Sequence, residues 1–398
     1  YGLPESVGMD SSRFQKMDSL AHFAISEKMT PGVQLLVARK GKVIYDKSFG
    51  YHTYKKTSEV NFNNLYDLAS LTKILATLPL LMELVDSGMI GLDSTLGDLL
   101  PSYKKTNKET ITIQEMLSHF AQLKPWIPFY KSTLDSVTQK PNPKFYRTKY
   151  TKKFSIKVKE RLYLRTDFRD SIQNQIITSE LLEEKEYRYS DLPYYILKQI
   201  IEKHYDLPID ALVQQHFYKP LGANYTTYKP LEKFNKSEII PSEIDDYFRY
   251  DTVHGYVHDM GAAMQGGVGG HAGLFGNAND VAKLMQMYLQ EGVYGGKRYF
   301  STDTFKEFNT CHYCDQENRR GIGFDKPQLE DEGPTCGCLS MTSFGHSGFT
   351  GTYAWADPEK EIILVILANR TYPNNDFTFS KSNIRTRMQA LVYEALID

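Results

Sequence analysis

Near both ends of the chain, apolar residues come in short runs broken by turn residues. Between the ends they recur at helical spacing. The stretch from Gly8 to Lys28 predicts an amphipathic helix. The runs Gly32 to Arg39 and Lys42 to Lys47 predict two strands joined at Lys40-Gly41 as a hairpin. A second hairpin is predicted from Thr352 to Asp357 and Glu361 to Asn369, followed by a closing helix from Asn383 to Ile397. In the middle, Asp67 to Asp86 is a mostly apolar helical run and Leu192 to Ile201 is another. Strands at both ends with helices between them predict an α+β fold. One antiparallel sheet would be assembled from about 1–60 and 300–398 and flanked by helices. A mostly helical region would fill about 61–299, all within a single domain spanning 1–398.

Composition narrows the function classes. The 398 residues are 41% hydrophobic and 24% charged, the balance of a soluble globular chain. A net charge of −1 provides no overall field to draw nucleic acid or a membrane surface. The longest wholly apolar run, Ile362 to Ala368, has the length of a strand and cannot cross a bilayer. No secretory signal is visible, and the chain begins at Tyr1 rather than Met, the pattern expected of a chain trimmed from a precursor.

The candidate chemistry starts at Ser70-Leu71-Thr72-Lys73. A Ser and a Lys three apart on a helix share one face. A serine hydroxyl becomes a useful nucleophile when a neighbouring base takes its proton, and a lysine in apolar surroundings can supply that base. A second match, Ser102-Tyr103-Lys104-Lys105, follows Pro101 in a polar stretch and lacks this context. Two more motifs follow in order: Tyr189-Ser190-Asp191 at the head of the 192–201 run, and His346-Ser347-Gly348-Phe349 before a strand-like segment.

The order S-x-x-K, Y-x-N/D, K/H-[ST]-G resembles the three-part active-site signature of the serine β-lactamase and penicillin-binding family. Within that family the chain is most similar to the class C branch, with its D,D-peptidase and esterase relatives, from about Gly8 to the C-terminus. The flanking phrases Asn64 to Ser70, Ile113 to His119 and Gly266 to Phe275 fit the same resemblance. It also looks like a module fused to family 3 glycoside hydrolases in Bacteroidetes-type proteins. The resemblance implies Ser70 as nucleophile of an acyl-enzyme, with Lys73 and Tyr189 as a coupled proton-handling pair. Asp191 stands where the family more often has Asn, and as an anion it favours a protonated Lys73. The amides of Ser70 and Phe349 would form the oxyanion hole. Ser347, Gly348 and His271 are assigned to the substrate surface. His346 replaces the usual fixed Lys charge with a mostly neutral group, which favours a peptidase, amidase or esterase over a dedicated β-lactamase. The family also implies a periplasmic or extracellular location and a small-molecule or cell-wall-derived amide or ester as substrate.

Three features lie outside this scheme. Residues 122–185 form an apparent insertion with ten Lys and Arg between Lys140 and Arg165, interleaved with Phe145, Tyr146, Tyr150, Phe154 and Tyr163. Such a stretch suits a polyanion or sugar chain, or is a solvated insertion whose aromatics tuck onto the domain; the second is the expectation. His254, His258 and His271 cluster with Asp259, as a metal site or, the favoured reading, as the floor of the cleft; His119 is expected to be structural. Cys311, Cys314, Cys336 and Cys338 fall in one short region and suit either a structural zinc or two disulfides between the pairs. No cofactor is expected for catalysis. The alternatives carried forward are a carboxylesterase on the same fold and a non-catalytic module that binds glycan or protein.

Overall fold

The computed structural model describes residues 1–330 and 333–397. Helix α1 (Phe14–Ser26) is followed by strands β1 (Gly32–Arg39) and β2 (Lys42–Gly50). The far end of the chain contributes β3 (Phe344–Ser347), β4 (Tyr353–Asp357) and β5 (Ile362–Ala368). The five form one antiparallel sheet in the order β3-β4-β5-β1-β2. Strand β1 is an inner strand: Val33 pairs with Ala368 and Arg39 with Ile362 of the central strand β5 on one side, and the edge strand β2 lies on the other. Both terminal hairpins therefore form as predicted.

Period-2 alternation divides the sheet between two cores. Val33, Leu35 and Val37, with Leu364 and Ile366, pack under α1 and the last helix, Ile384–Glu394. Leu36 and Ala38, with Ile363, Val365 and Leu367, face the larger core of the middle region. There the helix α2 (Leu78–Asp86) is apolar on nearly every side, as a helix at the centre of a domain must be. Helix α3 (Leu192–Tyr205) packs against the turn Lys73–Thr77 that leads into α2, and the Tyr288 hydroxyl of α4 (Ala278–Leu289) donates to the Ile74 carbonyl of that turn at 2.6 Å.

The middle region carries short strands among its helices. Tyr66–Asp67, Leu274–Gly276 and Thr227–Tyr228 form a small sheet, and the insertion carries another: Tyr146–Arg147, Ile156–Lys159 and Leu162–Leu164. The inner residues of that second sheet, Tyr146, Ile156, Val158, Leu162 and Leu164, join the main core, so the insertion is an integral layer. Its aromatics divide: Tyr146 and Phe154 are buried, while Tyr150 is exposed.

The cysteines bind each other within the pairs, Cys311–Cys314 and Cys336–Cys338, and not across them. All four thiols are thereby consumed. Among the described residues no group of three or more His, Cys, Asp or Glu is placed to hold a metal, so the zinc site is not formed. The three histidines near the Gly-rich run also diverge. His254 Nε2 meets the Ile239 carbonyl (2.7 Å), His258 meets Glu243 (3.2 Å) and His271 meets Asp259 (2.7 Å). Among the described residues no helix is long and apolar enough to cross a membrane.

Candidate active site

Ser70 is not on a helix face. The chain leaves the Tyr66–Asp67 strand, turns through Ala69 with φ of 47°, and enters the helix at Leu71. A left-handed alanine is unfavourable by about 1 kcal/mol. It is held here by the Asp67 carboxylate, which accepts the Ala69 amide at 2.8 Å and the His258 amide at 2.6 Å. Lys73 opens a π-helical turn, Lys73–Thr77, that widens into α2. The predicted 67–86 helix is thus shorter than its apolar run, and Ser70 sits in the turn just before it.

The second wall is the end of β3. The Thr350 hydroxyl donates to the Asp67 carbonyl (2.8 Å) and the Thr352 hydroxyl to the Leu68 carbonyl (3.0 Å). These two bonds fasten the strand end to the Ser70 elbow. Only glycine fits between the walls: a Cβ on Gly348 would stand 2.0 Å from Thr352 Oγ1 and 2.8 Å from the Leu68 carbonyl. Among the described residues, the amides of Ser70 and Phe349 donate to no protein acceptor. The third wall comes from α3, whose preceding residues carry Tyr189 and Asp191; the Asp191 amide donates to the Pro125 carbonyl at 2.8 Å.

The side chains converge on the serine oxygen. Lys73 Nζ donates to Ser70 Oγ at 2.9 Å, and the Tyr189 hydroxyl donates to the same atom at 3.1 Å. Lys73 is fully buried, pairs with Asp191 at 2.7 Å and reaches the His271 carbonyl at 3.4 Å. Burial alone would push the ammonium down; Asp191 and Tyr189 outweigh it and hold the Lys73 pKa above the ordinary lysine value. Burial raises the Tyr189 phenol, against the pull of the Lys73 and Arg320 charges. At neutral pH both partners of Ser70 are therefore protonated, and neither can accept the serine proton until the pair has lost one of its own.

His346 is buried, and its Nδ1–H donates to the Ser347 carbonyl at 2.7 Å. Burial, then the charges of Arg320 and Lys73, push it well below the usual histidine range, so it is neutral. Ser347 is partly exposed, and Phe349 stands 43% exposed at the cleft mouth. His271 does not line the cleft as assigned: its ring is buried against Tyr195 (4.4 Å between centroids) and bonded to Asp259, and only its carbonyl reaches Lys73. The decoy serine, Ser102, is exposed.

Arg320 escaped the sequence reading. It is 3% exposed, its guanidinium carbon lies 5.2 Å from the centre of the Tyr189 ring, and Lys73 Nζ lies 5.1 Å from the same centre. Tyr189 is thus flanked by two cations. The His119 ring packs against it as well, tilted by 38° with centroids 4.5 Å apart, and accepts the Ser190 amide on Nδ1 (3.2 Å), which fixes the tyrosine segment. Arg320 sits 131 positions past Tyr189 and belongs to no motif; the only signal was its place in the Arg-Arg pair before Gly321.

A profile of the Beta-lactamase family matches residues 21–387. The chain belongs to the beta-lactamase family. By that membership it is a serine hydrolase. A protein of Salmonella enteritidis PT4 (strain P125109) named "Putative D-alanyl-D-alanine carboxypeptidase" is 31% identical over 407 residues, covering 93% of this chain and 85% of the relative. Among solved structures, the hydrolase EstCE1, described as having promiscuous acyltransferase activity, superposes with a TM-score of 0.70 at 19% identity, covering 96% of this chain and 98% of its own. A penicillin-binding protein homologue from Caulobacter crescentus gives 0.68 at 17% identity (98% and 99% covered). A family VIII carboxylesterase gives 0.64 at 16% identity (98% and 99% covered). Solved proteins with esterase and penicillin-binding names thus share this fold.

Proposed function

We propose that the protein is an acyl-enzyme hydrolase whose substrates are D-alanyl peptides of the cell wall. The observation that carries this is the convergence of Lys73 and Tyr189 on Ser70 Oγ within 3.1 Å, beside two free amides. In the reaction, the Lys73–Tyr189 pair first loses one proton. It then takes the proton of Ser70 as Oγ bonds to the substrate carbonyl carbon. The oxyanion is received by the Ser70 and Phe349 amides. As the carbon–nitrogen bond breaks, the pair returns the proton to the leaving amine. Water then attacks the ester, the pair accepting its proton and returning it to Ser70. The buried Lys73–Asp191 contact keeps a positive charge beside the developing anions. Asp191 acts here through Lys73. An exported location and a small cell-wall substrate accord with the names of the relatives; a fused glycoside hydrolase is not required by this reading.

A carboxylesterase is the second reading. It is favoured by one observation: the neutral His346 supplies no fixed charge for a substrate carboxylate.

The test is intact mass after exposure to a fluorophosphonate, for wild type, Ser70→Ala and Tyr189→Phe, alongside release of D-alanine from a D-Ala-D-Ala peptide and of p-nitrophenol from a short ester. One adduct on wild type, absent from both variants, with D-alanine release supports the peptidase. The adduct with ester turnover alone supports the esterase. No adduct on folded wild type leaves a non-catalytic binding module and overturns both.

A further inference from the structure

The insertion concentrates charge that the catalytic site does not use. Between Lys140 and Arg165 stand ten Lys and Arg and one Glu, in a chain whose net charge is −1, so the rest of the molecule is net acidic. Three of these cations have carboxylate partners: Lys157 with Glu160, Lys159 with Asp251, and Arg165 with Asp167. Among the described residues Lys140, Lys144, Arg147, Lys149, Lys152, Lys153 and Arg161 pair with no acid. Like charges this close repel one another unless an anion sits among them.

The fold turns part of this charge into a concave site. Arg147, Thr148, Lys149, Thr151, Lys153 and Phe154 line a cavity of about 350 Å³ with three cations, two hydroxyls and no carboxylate. The site is held in advance. Arg147 lies over the Phe154 ring (4.5 Å) and donates from Nη1 to the Pro143 and Tyr146 carbonyls, and among the described residues its Nε and Nη2 are unused. A tight turn, with the Phe154 amide on Thr151 Oγ1 at 3.1 Å, presents Lys152 and Lys153. Thr151 thereby keeps its own hydrogen free to donate.

Aromatic surface continues outward from the cations. Arg147 and Lys157 flank Tyr163 in register across the three strands, on the face opposite the buried Tyr146, Val158 and Leu164. The exposed Tyr150 meets Tyr163 edge to face, at 81° and 6.2 Å. Tyrosine rings beside cations suit pyranose rings that carry acidic groups. A lipid surface would call instead for exposed aliphatic or tryptophan wedges on this face, and it presents tyrosine.

We propose that this face is a binding site for an acidic glycan. Its carboxylate, phosphate or sulfate groups would meet Arg147, Lys149 and Lys153, and its sugar rings would lie along Tyr150 and Tyr163. The site is independent of the Ser70 chemistry and would tether the enzyme to a polymer while the cleft works.

The experiment titrates the full chain with fluorescein-labelled polygalacturonate, neutral dextran of matched length, single-stranded DNA and anionic phospholipid vesicles, at 20 and 300 mM salt. The proposal expects saturable polygalacturonate binding that weakens at least tenfold at high salt, at least tenfold in the triple variant Arg147→Gln/Lys149→Gln/Lys153→Gln, and about threefold or more in Tyr150→Ala. Both variants should keep the wild-type fluorophosphonate rate, which separates loss of the site from loss of the fold. Absence of saturable polygalacturonate binding at 20 mM salt overturns the proposal. So does an unchanged triple variant, or equal binding to DNA and vesicles with Tyr150→Ala unmoved; that last pattern describes an undifferentiated cationic surface.

Discussion

Replacing Asp191 by Asn tests how the proton is handled. The substitution keeps shape and removes the charge 2.7 Å from Lys73 Nζ. At that distance, and at an effective dielectric constant of ~20, the attraction is about 6 kcal/mol before any desolvation is counted. Shifts produced by one neighbouring charge run to about 1–3 pK units. Burial then dominates Lys73, and its pKa falls by about that much from its present place above 10.5. The rate of fluorophosphonate acylation, followed from pH 6 to 10.5, should rise with pH in wild type as the Lys73–Tyr189 pair loses its first proton. In Asp191→Asn the same limb should appear about 1–3 pH units lower. Stability follows by linkage. In wild type the native Lys73 holds its proton more tightly than the unfolded chain does. That contribution is complete below pH 10.5 and is lost only as pH rises through the native value. In the variant the native value falls back toward the unfolded one, so this contribution shrinks. The deficit, about 3 kcal/mol for a buried ammonium that has lost its partner, should hold nearly constant with pH up to about 10. An acylation limb that stays in place or moves upward, or a Tm gap that widens with pH, refutes the reasoning.

Other perturbations read other parts of the site. Gly348→Ala forces a methyl against Thr352 Oγ1 and the Leu68 carbonyl; acylation should fall about 100-fold with a stability loss of about 1–3 kcal/mol, and a rate within threefold of wild type would show that the two walls need not meet. Arg320→Met removes one of the two cations flanking Tyr189; the alkaline limb should move up by about 1 unit, and Arg320→Lys should restore part of the shift, whereas a merely structural role would lower the amplitude without moving the midpoint. Each disulfide closes only a two- or three-residue separation, worth about 2 kcal/mol by loop closure; reduction should lower Tm while leaving acylation within twofold. Chelation should change neither, and a Tm loss above about 5 °C on chelation would reinstate a metal site.

The outer shell of the fold was legible because both terminal hairpins and α3 announce themselves by local period. The three motifs were legible because each sits at a boundary where an apolar run begins. The Ser70 elbow was not. An alanine at φ 47° carries no local signal, since the residues that hold it there, Asp67 and the His258 amide, meet only in the folded chain. The same reason hid Arg320, and hid the two threonine hydroxyls that tie β3 to the elbow. The insertion was misjudged in part because its strands are only two to four residues long, too short for alternation to stand out against ten basic side chains. His271 was assigned to the wrong surface because sequence places a residue near a site without saying whether its ring or its carbonyl faces inward.

The pairing of β1 with β5 bears on how the molecule comes into being. Val33 lies beside Ala368, so β1 waits until the distant β5 has been made before its second neighbour exists. Contacts of such long sequence separation close slowly. Until they do, an apolar edge stays open to other unfinished chains, a hazard that a folding helper at the ribosome or at an export channel would have to cover. In the proposed mechanism the same delay has a protective side. Gly348 and the Phe349 amide lie in the turn between β3 and β4, far along the chain from Ser70, so an unfinished chain would carry its serine without the proposed oxyanion wall. Reactivity would then begin only once that turn closes on the Ser70 elbow.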